Sequence, residues 1–256
     1  STSGSMSLSG GRGQAGIQTS ALAIAGGPLP VIAGRCEAYD GTSWSGAGIG
    51  SLGSPRYDTM SSCGASKTSA VVFGGYGPTY SALTEEYNFG LNTITKASFS
   101  SLANMNTARR GVAGAFAGST SAGLGFGGYT GSSAGVDNSE EFDGSSWSEG
   151  DNLNKARYAL GGAGTQTAGL AVGGYSNPGQ DTEVEEYNGT SWSEVTDVPA
   201  AKSNYVAALG TQTAALFCGG IPTPTTTTYL YDGTNWTTGG NLNTAGVSGA
   251  QGAGTQ

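Results

Sequence analysis

A pair of glycines follows a short apolar run five times along the chain, starting at Gly26, Gly74, Gly127, Gly173 and Gly219, at intervals of 48, 53, 46 and 46 residues. A period of this length constrains the fold more than any single motif does. Each repeat must be one supersecondary unit that buries its apolar face on its neighbours. The period also overrides the composition: 47 glycines with only 11% charged residues would otherwise describe a flexible low-complexity chain.

The unit is clearest between residues 161 and 207. An apolar run ends in Gly-Gly, a variable stretch follows, and an acidic segment closes on an aromatic. That aromatic is Tyr39, Tyr87, Phe142, Tyr187 or Tyr231, and a tryptophan comes five residues later at Trp44, Trp147, Trp192 and Trp236. In the second unit the reading YNFGLNTI puts Ile94 in the tryptophan's place. Each unit accommodates four short strands. Strand a follows a basic residue, strand b runs into Gly-Gly, strand c alternates polar and apolar residues up to the aromatic, and strand d starts at the tryptophan. Asp-Gly or Asn-Gly between c and d suits a tight hairpin, because glycine takes positive φ without steric cost. No segment sustains a helical period. Five four-stranded sheets in one chain predict an all-β fold, a β-propeller of about five blades.

The units resemble kelch-like propellers, including the central domain of galactose oxidase, in the Gly-Gly pair, the aromatic, the tryptophan and the basic residues Arg56, Arg109, Arg157 and Lys202. This resemblance covers nearly the whole chain and implies a fold, since propellers host unrelated activities. The wording of the units, YNGTSWS at 187–193 followed by GTQTA at 210–214, also resembles repetitive propeller proteins of marine bacteriophages. That likeness implies a virion appendage such as a tail fibre, with other virion or surface proteins as partners. The alternative is a secreted or cell-surface lectin-like domain of a bacterium.

Several function classes are disfavoured. A net charge of −8 and a sequence pI of about 4.4 speak against a nucleic-acid partner, because phosphate binding needs clustered Lys and Arg. No apolar run reaches the roughly 18 residues of a membrane-spanning helix, so membrane insertion is not expected. The chain has no histidine, the commonest general base and metal ligand. The galactose oxidase copper site needs histidines and cannot be carried over. Cys36, Cys63 and Cys218 lack metal-ligand spacing. They read as small buried apolar residues, a Cys36–Cys63 disulfide being the alternative. The G-x-G-x-x-G strings from Gly11, Gly48 and Gly123 precede no helix and read as strand and turn glycines. Asp40, Asp143 and Asp232 read as hairpin-turn residues rather than calcium ligands. No cofactor, no metal and no enzymatic activity are expected.

Glu37, Glu85, Glu140 and Glu185 precede the strand-c aromatic by two residues. Paired carboxylates can do glycosidase chemistry, but an acid recurring once per unit suits a structural role. In the fifth unit Tyr229 replaces the acid and Gly246 the following basic residue. Ion pairs among Glu85, Arg109, Glu140, Arg157, Glu185 and Lys202, within or between blades, are therefore expected. Tyr76, Tyr129 and Tyr175 directly follow Gly-Gly and open variable b–c loops that also hold Tyr80 and Asn177. Variable loops on a rigid scaffold are where binding usually resides, so these five residues are the candidate ligand face, with glycans among the ligands. The competing reading is that the tyrosines only cover blade edges.

Both ends offer a strand a. Residues 242–256 align with the segment from Leu153, and residues from Gly10 onward precede the first strand b. The expectation is that residues 246–254 supply the inner strand of blade one. Residues 1–16 would then be a Ser/Gly-rich arm or linker, free to join copies of the chain, and residues 17–256 the propeller.

Overall fold

A computed structural model of the chain describes residues 6, 13–26, 33–46, 49–59, 61–89, 98–115, 119–131, 135–201, 203–221, 226–243 and 245. These residues form five four-stranded antiparallel sheets arranged as a β-propeller, with no helix among them. Blade one is β1 (Gly13–Ile17), β2 (Ser20–Gly26), β3 (Ala33–Tyr39) and β4 (Trp44–Ser45). Blade two is β5 (Ser61–Ser66), β6 (Ser69–Phe73), β7 (Thr84–Asn88) and β8 (Ser98–Ser101). Blade three is β9 (Ala113–Ala115), β10 (Gly123–Phe126), β11 (Ser139–Phe142) and β12 (Trp147–Glu149). Blade four is β13 (Gly161–Thr165), β14 (Ala168–Val172), β17 (Val184–Tyr187) and β18 (Trp192–Val195); a two-stranded hairpin, β15 (Tyr175–Ser176) and β16 (Gly179–Gln180), stands in its b–c loop. Blade five is β19 (Ser203–Thr211), β20 (Ala214–Ile221), β21 (Thr228–Tyr231) and β22 (Trp236–Thr238).

Turn chemistry delimits the strands. In the c–d hairpins the first residue of the turn accepts two backbone N–H bonds: Asp143 Oδ1 from Ser145 and Ser146, Asn188 Oδ1 from Thr190 and Ser191. The next residue, Gly144, sits at φ 94°, where a side chain would be strained. These bonds to the charged form hold the Asp143 carboxyl well below the usual range. On the same side of the propeller, Gln212 of the a–b turn reaches back to blade four, its Nε2 donating to the carbonyls of Gly169 and Tyr187.

The inner strands follow one another in chain order, β1 beside β5, β5 beside β9, β9 beside β13 and β13 beside β19. Four apolar clusters fill the spaces between successive blades. Trp147 of blade three packs on Phe73 of blade two and Trp192 of blade four on Phe126 of blade three, with ring centroids 4.9 Å apart in both. The Tyr187 hydroxyl donates to Glu141 of blade three (2.5 Å) and that of Tyr231 to Glu186 of blade four (3.0 Å).

Two expectations are corrected. The inner strand of blade one is β1, in continuous register with β2 from Gly13↔Ile24 to Ile17↔Ser20. The other edge of β2 is taken by β3, so no edge is left there for residues 246–254, which lie outside the described residues. The expected boundary between residues 16 and 17 falls inside β1. In blade two, Phe99 rather than Ile94 lies opposite the strand-c aromatic, as Trp147 and Trp192 do in their blades. Ile94 itself lies outside the described residues. The c–d connection of that blade is longer, and pairing resumes only at Ser98.

Candidate functional site

One side of the propeller carries the d–a and b–c connections, and a buried ion pair ties them together in each of three blades. Arg109 Nη2 donates to Glu140 Oε1 at 2.6 Å and Arg157 Nη2 to Glu185 Oε1 at 2.8 Å, with all four side chains 0% exposed. Arg56 is paired with Glu85 in the same way. Each arginine also bonds the carbonyl of the first glycine of the Gly-Gly pair: Gly74, Gly127 or Gly173. Each glutamate accepts a backbone N–H from the d–a connection: Gly53, Asn106 or Asn154. The acid on strand c therefore clamps the chain entering strand a against the chain leaving strand b. Burial pulls the Arg109 pKa down, and the carboxylate of Glu140 counters it.

Of the residues expected to pair, Arg109 meets Glu140 and Arg157 meets Glu185, while Glu85 pairs with Arg56, and each pair lies inside one blade. The basic partner precedes the blade's strand a, so Glu140 pairs with Arg109 and not with Arg157. Lys202, the basic residue ahead of blade five, lies outside the described residues.

This clamp sets up the residue that follows each arginine. Tyr57, Arg110 and Tyr158 form single antiparallel bridges with Tyr76, Tyr129 and Tyr175, the residues that follow Gly-Gly. The next residue in each case, Asp58, Gly111 or Ala159, turns the chain with φ of 53°, 60° or 54°. Left-handed φ is strained for Asp58 and Ala159, at about 1–3 kcal/mol each, and persists only where the surroundings over-determine it. The left-handed kink recurs at the same point of three blades, strained in blades two and four and relieved by glycine in blade three, where the clamp and the bridge fix both ends.

The six bridge residues and Tyr80 make one continuous row across blades two, three and four. Ring centroids are 5.4 Å apart for Tyr57–Tyr76, 5.3 Å for Tyr76–Tyr80, 5.8 Å for Tyr80–Tyr129, 5.0 Å for Tyr129–Tyr158 and 5.3 Å for Tyr158–Tyr175. The Arg110 guanidinium lies 5.6, 5.9 and 5.3 Å from the ring centres of Tyr76, Tyr80 and Tyr129, and its Nη1 meets Asp58 Oδ2 at 3.3 Å. Every ring in the row is half-buried. Burial raises the pKa of Tyr57, with the Asp58 carboxylate adding to it, and burial likewise raises that of Tyr158. These phenols stay protonated and able to donate.

Beside the row, a cleft of about 310 Å³ opens in blade two between Pro55, Pro78, Thr79, Tyr80 and Asn104. At the far end, the b–c loop of blade four is anchored by Lys155. Its Nζ meets Asp181 Oδ2 and Glu183 Oε1, each at 2.8 Å. Burial would lower the Lys155 pKa, but the two carboxylates outweigh it and raise it. Asn177 stands exposed at the tip of this loop.

The sequence-derived ligand residues Tyr76, Tyr80, Tyr129 and Tyr175 thus come together, with Asn177 at the edge. Sequence reasoning missed Tyr57, Arg110 and Tyr158. Their signal was present as the residue after each paired arginine. Chemically the site offers flat aromatic faces, hydroxyl donors and one guanidinium. Among the described residues no group of His, Cys, Asp and Glu is placed to hold a metal ion. The first and fifth units carry Pro28 and Ile221 after Gly-Gly, which confines the post-Gly-Gly tyrosines to the middle three blades. Compared with known proteins, the chain matches no family model and no curated protein.

Proposed function

We propose that this chain is a non-catalytic recognition module, a kelch-like propeller carried on a virion appendage such as a tail fibre, whose tyrosine row binds a host-surface glycan. The unbroken row of six half-buried tyrosines around Arg110 carries the reading. A rigid scaffold holds the rings in place before any ligand arrives, so little side-chain entropy is lost on binding. Aromatic faces match the apolar faces of sugar rings, while the phenols and the Thr79 and Asn104 side chains supply hydrogen bonds. The appendage assignment is supported by the likeness of the repeat wording to phage propellers.

The test is a glycan array probed with the whole chain, followed by titration of the best hit against Tyr80→Ala and Tyr129→Ala. Loss of one such ring is expected to weaken binding tenfold or more, about 1.4 kcal/mol, with an unchanged circular dichroism spectrum. Binding that ignores both substitutions, or no glycan bound above background, overturns the proposal.

A further inference from the structure

The repeat supplies its own control for the tyrosine row. In blades two and four the residue after the paired arginine is a tyrosine, Tyr57 or Tyr158, and each bridges the tyrosine that follows Gly-Gly. Blade three makes the same bridge with Arg110. The fold thus accepts tyrosine at this position, and the bridge itself does not call for a guanidinium. The charge stands in the middle of the row, 5.3 Å from the ring centre of Tyr129, 5.6 Å from that of Tyr76 and 5.9 Å from that of Tyr80. The next position departs from the repeat as well. Asp58 of blade two stands where blades three and four carry Gly111 and Ala159. The two departures meet in one ion pair, Arg110 Nη1 with Asp58 Oδ2 at 3.3 Å.

A guanidinium presents its N–H donors in a planar fork. Arg110 uses Nη1 for Asp58, while the edge formed by Nε and Nη2 hydrogen-bonds nothing among the described residues. Access differs between the two partners. The Arg110 side chain is 34% exposed and that of Asp58 only 6%, so a solute arriving from water meets the cation before the acid. Cation–π contact with three rings holds the guanidinium in place. Its open edge is therefore set before any ligand arrives. The cleft beside Tyr80 continues the site with the neutral polar side chains of Ser54, Thr79 and Asn104, and no carboxylate lines it.

We propose that the glycan of the tyrosine row is acidic: the Nε–Nη2 edge of Arg110 takes the carboxylate of one sugar, and neutral neighbours lie on the Tyr80 and Tyr129 rings and in the adjoining cleft. This rests on the recognition reading above and names its ligand class. A carboxylate is planar, and its oxygens match the guanidinium edge bidentately, which gives direction as well as strength. Partial burial of the cation makes the pairing stronger than it would be in open water. The net charge of −8 on the chain repels a densely charged polymer at a distance. One guanidinium among neutral rings therefore suits a saccharide with a single acidic sugar among neutral ones. Sialic acids and hexuronic acids both supply that group.

The test titrates the whole chain with sialyllactose and with a glucuronate-terminated oligosaccharide. Each is compared with its carboxyl-reduced counterpart, in which a hydroxymethyl group replaces the carboxylate. At least one acid is expected to bind about tenfold more tightly than its counterpart, the worth of a charge-assisted hydrogen bond, and the preferred acid tells which sugar supplies the group. Added salt is expected to weaken the acid and to leave its counterpart nearly unchanged. The preference is expected to disappear in Arg110→Tyr, which gives blade three the side chain of the flanking blades, and in Arg110→Gln, with unchanged circular dichroism spectra. Arg110→Gln decides alone if Arg110→Tyr does not fold. Equal affinity for acids and counterparts would overturn the proposal and leave the row a neutral glycan. A preference that survives the substitutions would overturn it by placing the carboxylate elsewhere. Failure of all the saccharides to bind overturns it too: a neutral hit on the glycan array then spares the recognition reading, and a blank array removes both.

Discussion

Arg109 and Glu140 are 0% exposed, and the usual expectation for such a pair is that two apolar residues of similar volume would serve as well. Here they would not. Arg109 also donates to the carbonyls of Gly127 and Asn138, and Glu140 accepts the N–H groups of Asn106 and Thr107. The Asn138 carbonyl also accepts the Gly127 N–H, but the Gly127 carbonyl and the Asn106 and Thr107 N–H groups rely on the pair, and each one left bare costs about 1–3 kcal/mol. Glu140→Gln is expected to lower stability by about 3–5 kcal/mol, the cost of an uncompensated buried arginine. The double change Arg109→Met/Glu140→Leu is expected not to restore it. Chemical denaturation of the three proteins checks this, and recovery in the double variant would mean that the pair acts only on itself. The sequence disclosed this pairing through its recurrence, but not its phase. A period says that an acid and a base share a unit, and it leaves open whether the base precedes or follows. The row residues Tyr57, Arg110 and Tyr158 stayed hidden for a related reason. The change from Tyr to Arg in blade three breaks the visible repeat, although the guanidinium fills the same place on the aromatic row.

At the scale of the strand, the inner positions are glycine-rich because the blades converge there. A Cβ on Gly162 of β13 would lie 2.6 Å from the Gly114 carbonyl oxygen of β9 and 3.0 Å from the Phe126 ring. Two backbones from different blades touch, and neither can withdraw without leaving its own sheet. Gly162→Ala is therefore expected to cost about 1–3 kcal/mol, the range for overpacking, although alanine suits a strand better than glycine does. Gly179→Ala, with nothing within 4 Å of its Cβ, is the matched control and should leave the thermal midpoint nearly unchanged. Equal midpoints for both would show that the inner strands have slack. The same convergence explains why the ends of the chain misled the sequence reading. Strand a is written mostly in Gly, Ala and Gln at both termini, and small residues carry too little pattern to say which copy pairs with β2. The turns were legible because their chemistry is local: Gln18-Thr19, Gln166-Thr167 and Gln212-Thr213 all fall in a–b turns. The extended c–d connection of blade two was not legible, since the register of Phe99 is set by pairing across the sheet.

For the whole molecule, stability is organised by neighbours. Each of the four apolar clusters bridges one pair of successive blades. Blades two, three and four are therefore held on both faces, and blades one and five on one face each among the described residues. In such an array the free energy of local opening approximates the blade's own term plus its interfaces. Amide exchange in dilute solution is therefore expected to be slowest in β10, β11 and β14 and faster in β2, β3, β20 and β21, although all these strands have two hydrogen-bonded neighbours. The gap between the groups should approach the worth of one blade-to-blade cluster, and Gly162→Ala should narrow it by loosening the interface between blades three and four. Uniform protection across the five blades would remove the nearest-neighbour picture, because it requires all of them to open as one unit.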